Sequence, residues 1–140
     1  PEPTAEDYEG TKAGDYVGLL VKGSCLGTIE QVSELLFDKL NLPKNKINLV
    51  KGWFQDTIPS YKDKVGAIAV LRLDGDWYES TRIPLENFYS NISPGGCVII
   101  DDYATCFGSK KATDEFIAEN SIDTFLRSDG RGGAWFVKPF

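Results

Sequence analysis

The sequence predicts an α/β domain whose sheet is mostly parallel and closes in an antiparallel C-terminal hairpin. Three observations carry this expectation. Two almost wholly apolar runs, "VGAIAVLRL" (Val65–Leu73) and "CVIID" (Cys97–Asp101), have the composition of strands covered on both faces. Segments with helical apolar spacing alternate with them, as when helices connect the strands of one sheet. The chain then closes on "DTFLRSDGRGGAWFVKP", two β-rich stretches around the glycine-rich turn Asp129–Gly133, which reads as a hairpin.

Each element follows in order. Residues 1–24 read as an irregular lead-in, because "PEPTAEDYEGTKAGDY" mixes acids, prolines and glycines without a sustained period. Residues 25–140 form the α/β core of a single domain. Thr28 and Gln31 have capping-box spacing, and Val32, Leu35, Leu36 and Leu40 then repeat at helical intervals until Pro43 closes the helix. "KINLVKG" (Lys46–Gly52) reads as a short strand with an aromatic exit, Trp53 and Phe54. After the strand Val65–Leu73, the residues Leu85, Phe88, Tyr89 and Ile92 share one helical face, with Pro84 at an N-terminal turn or a kink. "SPGG" (Ser93–Gly96) is a turn before the strand Cys97–Asp101, and Ala112, Phe116 and Ile117 mark a further helix ending near Asn120.

Composition narrows the chemistry. At 140 residues and 41% hydrophobic content, the chain suits one globular domain with a real core. Its net charge of −6 and lack of a basic stripe argue against nucleic acid as a partner. No apolar run has the length of a membrane span and nothing reads as a signal peptide. The three cysteines, Cys25, Cys97 and Cys106, form no CxxC pair, so reduced thiols and a cytoplasmic location are expected. Histidine is absent, which excludes Ser-His-Asp and Cys-His nucleophiles and imidazole metal ligands. A metal would be held mainly by oxygen, which favours Mg²⁺, Ca²⁺ or Mn²⁺ over zinc.

Both apolar runs end in acids. Leu73 leads into Asp74-Gly75-Asp76, and Ile100 into Asp101-Asp102-Tyr103. In an open parallel sheet, ligands bind beyond the carboxyl ends of the strands. If the two strands are neighbours, Asp74, Asp101 and Asp102 converge there and repel one another unless something positive lies between them. No arginine or lysine follows either strand closely, so a divalent cation is the simplest partner. The competing reading is that an aspartate after a strand is a turn former or a helix cap, and for Asp76, with Glu79 beside it, capping is the better explanation. Two clusters at two successive strand ends favour the metal.

Other candidates have blander explanations. Trp53 and Phe54 could stack on a planar ligand, but aromatics beside a sheet are ordinarily core. Tyr78 and Tyr103 could line a pocket or simply pack. Lys110 and Lys111 read as a solvated helix face, and the cysteines, lacking an activating partner in sequence, as buried filler. "GRGG" (Gly130–Gly133) lacks the strand-before, helix-after context of a phosphate loop.

The segments "VKGWFQDTIP", "LRLDGDWYEST", "LENFY", "SPGGCVIIDDY" and "ATDEF" together resemble the macrocin-type (TylF-like) O-methyltransferase family over essentially the whole chain, with a specific central block, Val50–Tyr103. The resemblance implies a Rossmann-like class I S-adenosylmethionine (SAM) methyltransferase fold and Mg²⁺-dependent methylation of sugar hydroxyls on antibiotics and related glycosides. It implies that Asp74 is both a metal ligand and the catalytic base, that Asp101 and Asp102 are the other metal ligands, and that Gly52 and Trp53 lie toward the cofactor.

Relative to that family the chain begins at "PEPT", after the place of the first strand with its glycine-rich turn for SAM and of the second strand with its ribose-binding acid. The fold expected is therefore N-terminally truncated, with SAM binding and activity impaired in this chain. The two strands would lie between "INLV" and "AIAVLRL", and the apolar edges left open predict a homo-oligomer joined edge to edge. Two rival readings remain. One is a metal-dependent glycosyltransferase using Asp74-Gly75-Asp76 as a DxD motif; the other is a non-catalytic, self-associating domain. A dehalogenase-type phosphatase is excluded because Arg72 stands where its nucleophile would be.

Overall fold

In the computed structural model, residues 3–8 and 27–140 are described, so Cys25 lies outside the described residues. The sheet has four strands: β1 (Ile68–Leu73), β2 (Ile92–Ile100), β3 (Arg127–Ser128) and β4 (Ala134–Val137), in the order β1-β2-β4-β3. Only β1 and β2 are parallel, whereas β4 runs antiparallel to both β2 and β3. The sheet is thus mixed rather than mostly parallel, because the C-terminal hairpin supplies half of its strands. The hairpin itself forms as expected. Asp129 Oδ1 accepts the backbone N–H groups of Arg131 (2.7 Å) and Gly133 (3.0 Å), closing the Asp129–Gly133 turn with a local side-chain bond.

Helices α3 (Tyr78–Phe88) and α4 (Phe107–Glu119) pack against each other and cover one face of the sheet. Between helices and sheet lies a core of Leu73, Leu85, Ile92, Val98, Ile100, Phe116 and Phe136. Alternation along β2 points Val98 and Ile100 to this face, and alternation along β4 does the same for Ala134 and Phe136. Tyr89 presents its ring edge to Phe116 at 5.3 Å between centroids.

Five local expectations are corrected. Pro84 is buried in the interior of α3, not in its N-terminal turn, and Ile92 begins β2 instead of finishing a helical face. Ser93–Gly96 is not a turn but part of β2. The pairing jumps from Ile68↔Ile92 to Val70↔Cys97, so β2 carries three extra residues that bulge along its edge with β1. On the other side Gly95 N–H donates to Lys138 O and Lys138 N–H to Gly96 O, each at 2.9 Å, which keeps the segment in the sheet. The strand expected over Lys46–Gly52 does not form. Lys44–Lys46 makes a single 3₁₀ turn and the following residues are irregular, since no strand among the described residues lies beside them to complete a ladder. The aromatic exit then folds into α2 (Phe54–Tyr61), with Thr57 Oγ1 donating to Trp53 O at 2.9 Å. Finally, β1 is not covered on both faces: Val70 is 57% exposed, and Leu73 is its one buried residue.

The Thr28 capping box forms as read. Gln31 N–H donates to Thr28 Oγ1 (3.3 Å), and Thr28 N–H to Gln31 Oε1 (2.9 Å). The helix it starts, α1 (Ile29–Ser33), widens into a π-helical turn over Glu34–Lys39 and ends at Leu40, short of Pro43. Val32, Leu35 and Leu40 on it remain exposed. No helix among the described residues is long and apolar enough to cross a membrane.

Candidate metal centre

The β1–β2 register fixes the site. Leu73 lies opposite Ile100, and Asp101 N–H donates to Leu73 O at 2.9 Å, so both strands run out at the same level. Asp74 and Asp101 therefore leave the sheet side by side. Carboxylate oxygens of Asp74, Asp101 and Asp102 lie within 4.8 Å of one another. Three carboxylates offering only oxygen are the donor chemistry that a hard divalent cation takes.

A positive charge is nevertheless present. Arg72 Nη1 lies 2.7 Å from Asp74 Oδ2, and its Nη2 lies 2.8 Å from Asp101 Oδ1. This corrects the expectation that no basic residue could serve the acids. Arg72 precedes Asp74 by two residues, and i, i+2 side chains share one side of a strand, so its long stem reaches the strand end. Hydrogen bonds to Asp101 first, and then to Asp74, push its own pKa up. The guanidinium engages one oxygen of each aspartate, leaving Asp74 Oδ1 and Asp101 Oδ2 outside the fork. These pairs are half exposed, so each is weak.

Asp76 sits deeper than its sequence context implied. Its backbone is left-handed (φ 61°), and its carboxylate lies within 4.8 Å of an Asp102 oxygen and the Cys106 sulfur. Burial first, then the Asp102 carboxylate, pushes its pKa up to about 6. Asp76 does not cap α3. Trp77 is the N-cap and its N–H donates to Ser80 Oγ (3.1 Å), while Tyr78 N–H donates to Asp7 Oδ1 (2.5 Å). The Cys106 thiol is buried. Burial first, then the charges of Asp76 and Asp102, pushes it up to about 11, which keeps it a thiol at neutral pH.

Gly52 and Trp53 are not drawn to the acids. Gly52, with a left-handed φ of 146°, lines a recess of about 270 Å³ together with Thr28, Val32 and Leu49, and Trp53 is 56% exposed. A larger cleft of about 570 Å³ lies between α2, β1 and α3. Phe54, Ile58, Leu71 and Phe88 line it, with Arg72 and Asp74 among its polar residues. The acid cluster thus borders an apolar cleft. Tyr78 and Tyr103 are held by α4, donating to Glu115 Oε2 (2.7 Å) and Asp114 Oδ1 (2.5 Å). Lys110 and Lys111 are tied down rather than simply solvated. Lys110 sits 4.9 Å over the Tyr103 ring and pairs with Asp114, and Lys111 pairs with Glu6. The hairpin turn also leans on the site: Ala104 N–H donates to Gly132 O at 2.7 Å, and a Cβ on Gly133 would meet Asp101 O at 2.8 Å.

Fold and cluster define a class, an α/β domain whose polar centre lies at the carboxyl ends of its parallel strands. Residues 13–138 match the family described as Macrocin-O-methyltransferase (TylF), and the chain belongs to that family. It is 35% identical over 136 residues to demethyldecarbamoylnovobiocin O-methyltransferase of Streptomyces niveus, covering 96% of this chain and 50% of that one. It is 41% identical over 100 residues to a tetracenomycin-C rhamnosyl 4'-O-methyltransferase of Streptomyces olivaceus, covering 71% and 37%. Mycinamicin III 3''-O-methyltransferase of Micromonospora griseorubida is 36% identical over 101 residues, covering 71% and 38%. The structure superposes on that of the O-methyltransferase NovP with a TM-score of 0.75 at 37% identity, over 81% of this chain and 46% of NovP. The chain spans half the length or less of these curated relatives. Family membership sets aside the DxD glycosyltransferase reading.

Proposed function

We propose that the chain carries the metal-binding, substrate-facing half of a Rossmann-like, Mg²⁺- and SAM-dependent O-methyltransferase acting on a sugar hydroxyl of a glycoside or antibiotic-like small molecule. The observation that carries this reading is the convergence of Asp74, Asp101 and Asp102 beside an apolar cleft, in a chain whose relatives are O-methyltransferases, one of them named for a rhamnosyl-tetracenomycin.

Asp74, Asp101 and Asp102 would hold the cation. Bound there, Mg²⁺ would supply Lewis acidity that makes a hydroxyl easier to deprotonate. Asp74 lines the cleft, and in this reading it accepts the hydroxyl proton. Arg72 orients Asp74 and Asp101 through its fork and offsets part of their mutual repulsion. The apolar walls from α2 and α3 shed water as a ligand enters, which strengthens each charge interaction at the cleft edge. Gly52 and Trp53 remain proposed cofactor contacts, to be completed by the half of the fold that the relatives carry beyond this match.

The test is calorimetric. Mg²⁺ titrated into the chain is expected to give saturable heat that Asp74→Asn and Asp102→Asn remove, and an absent or unaltered response overturns the metal assignment. In a protein of the relatives' full length, Asp74→Asn is expected to lower methyl transfer by about 10²–10⁴-fold, the range for loss of a general base. A second reading rests on the half-length match: this chain alone is a non-catalytic domain that pairs with a second copy along the edge of β1 that has no strand neighbour among the described residues. Mg²⁺ titrated into the 140 residues separates the two, since saturable metal binding requires the acid site and edge pairing does not.

A further inference from the structure

We propose that Asp7 is a positioning residue that locks the two acid-bearing loops, 74–77 and 101–106, into one arrangement, a proposal that rests on the metal-site reading above. Asp7 is 2% exposed, and an unpartnered carboxylate in that position would be strongly destabilising. It is instead supplied with donors. Oδ2 accepts Thr4 N–H (2.7 Å) and Thr4 Oγ1–H (3.1 Å), and Oδ1 accepts Tyr78 N–H (2.5 Å).

What these contacts join is more telling than their number. Tyr78 is the first residue of α3, directly after the loop that carries Asp74 and Asp76. Gly108 is the second residue of α4, directly after the loop that carries Asp101, Asp102 and Cys106, and a Cβ on it would lie 1.9 Å from Asp7 Oδ1 and 2.7 Å from Tyr78 N. One carboxylate oxygen therefore sits against the start of both helices, in a space that exists because residue 108 has no side chain. The negative charge also suits the partial positive charge at these helix starts. Nearby, Thr81 Oγ1 and Ser109 Oγ form a buried bond at 3.2 Å that ties α3 to α4, and Glu6 pairs with Lys111, which holds the segment around Asp7 to α4.

An apolar side chain would fill this space without a desolvated charge. The carboxylate adds directional acceptance, which fixes where α3 begins and hence where Asp74 stands relative to Asp102. Groups that orient metal ligands from behind typically change metal affinity by 10–100-fold when removed.

The experiment is Mg²⁺ calorimetry on the folded chain, with two-dimensional amide spectra of the metal-free protein. Asp7→Ala is expected to weaken Mg²⁺ binding by about 10-fold or more. Asp7→Asn, which keeps an acceptor oxygen, is expected to recover most of that loss, and Gly108→Ala, which evicts the carboxylate, to reproduce it. Thr4→Ala removes one donor alone and is expected to give a smaller loss in the same direction, which keeps the idea testable if Asp7→Ala does not fold. If Asp7→Ala and Gly108→Ala melt at lower temperature yet bind Mg²⁺ as the parent does, Asp7 is structural only and the proposal is overturned. If the parent binds no Mg²⁺, it is the metal assignment that fails. The amide spectra then decide: faster exchange at Tyr78 with shifted Asp101 and Asp102 signals in Asp7→Ala supports positioning, and unchanged signals overturn it.

Discussion

Arg72 changes the charge balance of two aspartates, Asp74 and Asp101. The acids after Leu73 and Ile100 were legible because they sit at fixed offsets from apolar runs. Their cationic neighbour lies within the strand and not after it, where i, i+2 alternation along β1 is the signal that points to it. Asp7 had no such signal, since its bond to Tyr78 spans 71 residues of sequence. Burial first, then a hydrogen bond to Glu115, pushes the Tyr78 pKa up to about 12 from an ordinary value of 10.0. The folded state thus keeps a proton that the unfolded chain gives up near pH 10. Its contribution to stability is complete below that pH and is lost as the pH rises toward 12. Melting curves between pH 9 and 12 are expected to fall less steeply for Tyr78→Phe than for the parent, and parallel curves would show that Tyr78 is not the group responsible.

Elements were legible in proportion to how locally they are determined. The Thr28 cap, α4 and the hairpin follow from residues close in sequence, and all three form as read. The strand expected over Lys46–Gly52 failed for the opposite reason: apolar residues supply strand propensity, but a ladder needs a neighbour. Pro84 in α3 is a further override, where packing on the core prevails over the cost of a missing N–H. Helical spacing likewise identified α1 and α3 without telling which face is covered. Leu85 is 0% exposed and Leu35 is 47% exposed. Leu85→Ala is therefore expected to cost about 2–5 kcal/mol in a denaturant melt, and Leu35→Ala about 0.5 kcal/mol or less. Equal losses would mean that α1 packs against something in solution.

Across the whole molecule, the dominant feature is asymmetry. One face of the sheet is sealed by α3 and α4, whereas β1 has a single strand neighbour among the described residues and leaves Val70 in solvent. An apolar edge of this kind is a template for pairing. Sedimentation is expected to give more than one chain per particle at tens of micromolar protein, and Val70→Lys to shift the particle toward a single chain. A parent that sediments as one chain removes the edge-pairing proposal.

The hairpin turn at Asp129–Gly133 has a consequence for how such a protein could be altered. Loop tips are ordinarily where added sequence is absorbed without effect. This tip has its backbone against Ala104 and Asp101, so its length is part of the specification of the acid cluster. A tag, a graft or a permuted terminus placed between β3 and β4 would be transmitted to the carboxylates. The exposed helix end at Leu40 is the better host for a foreign segment.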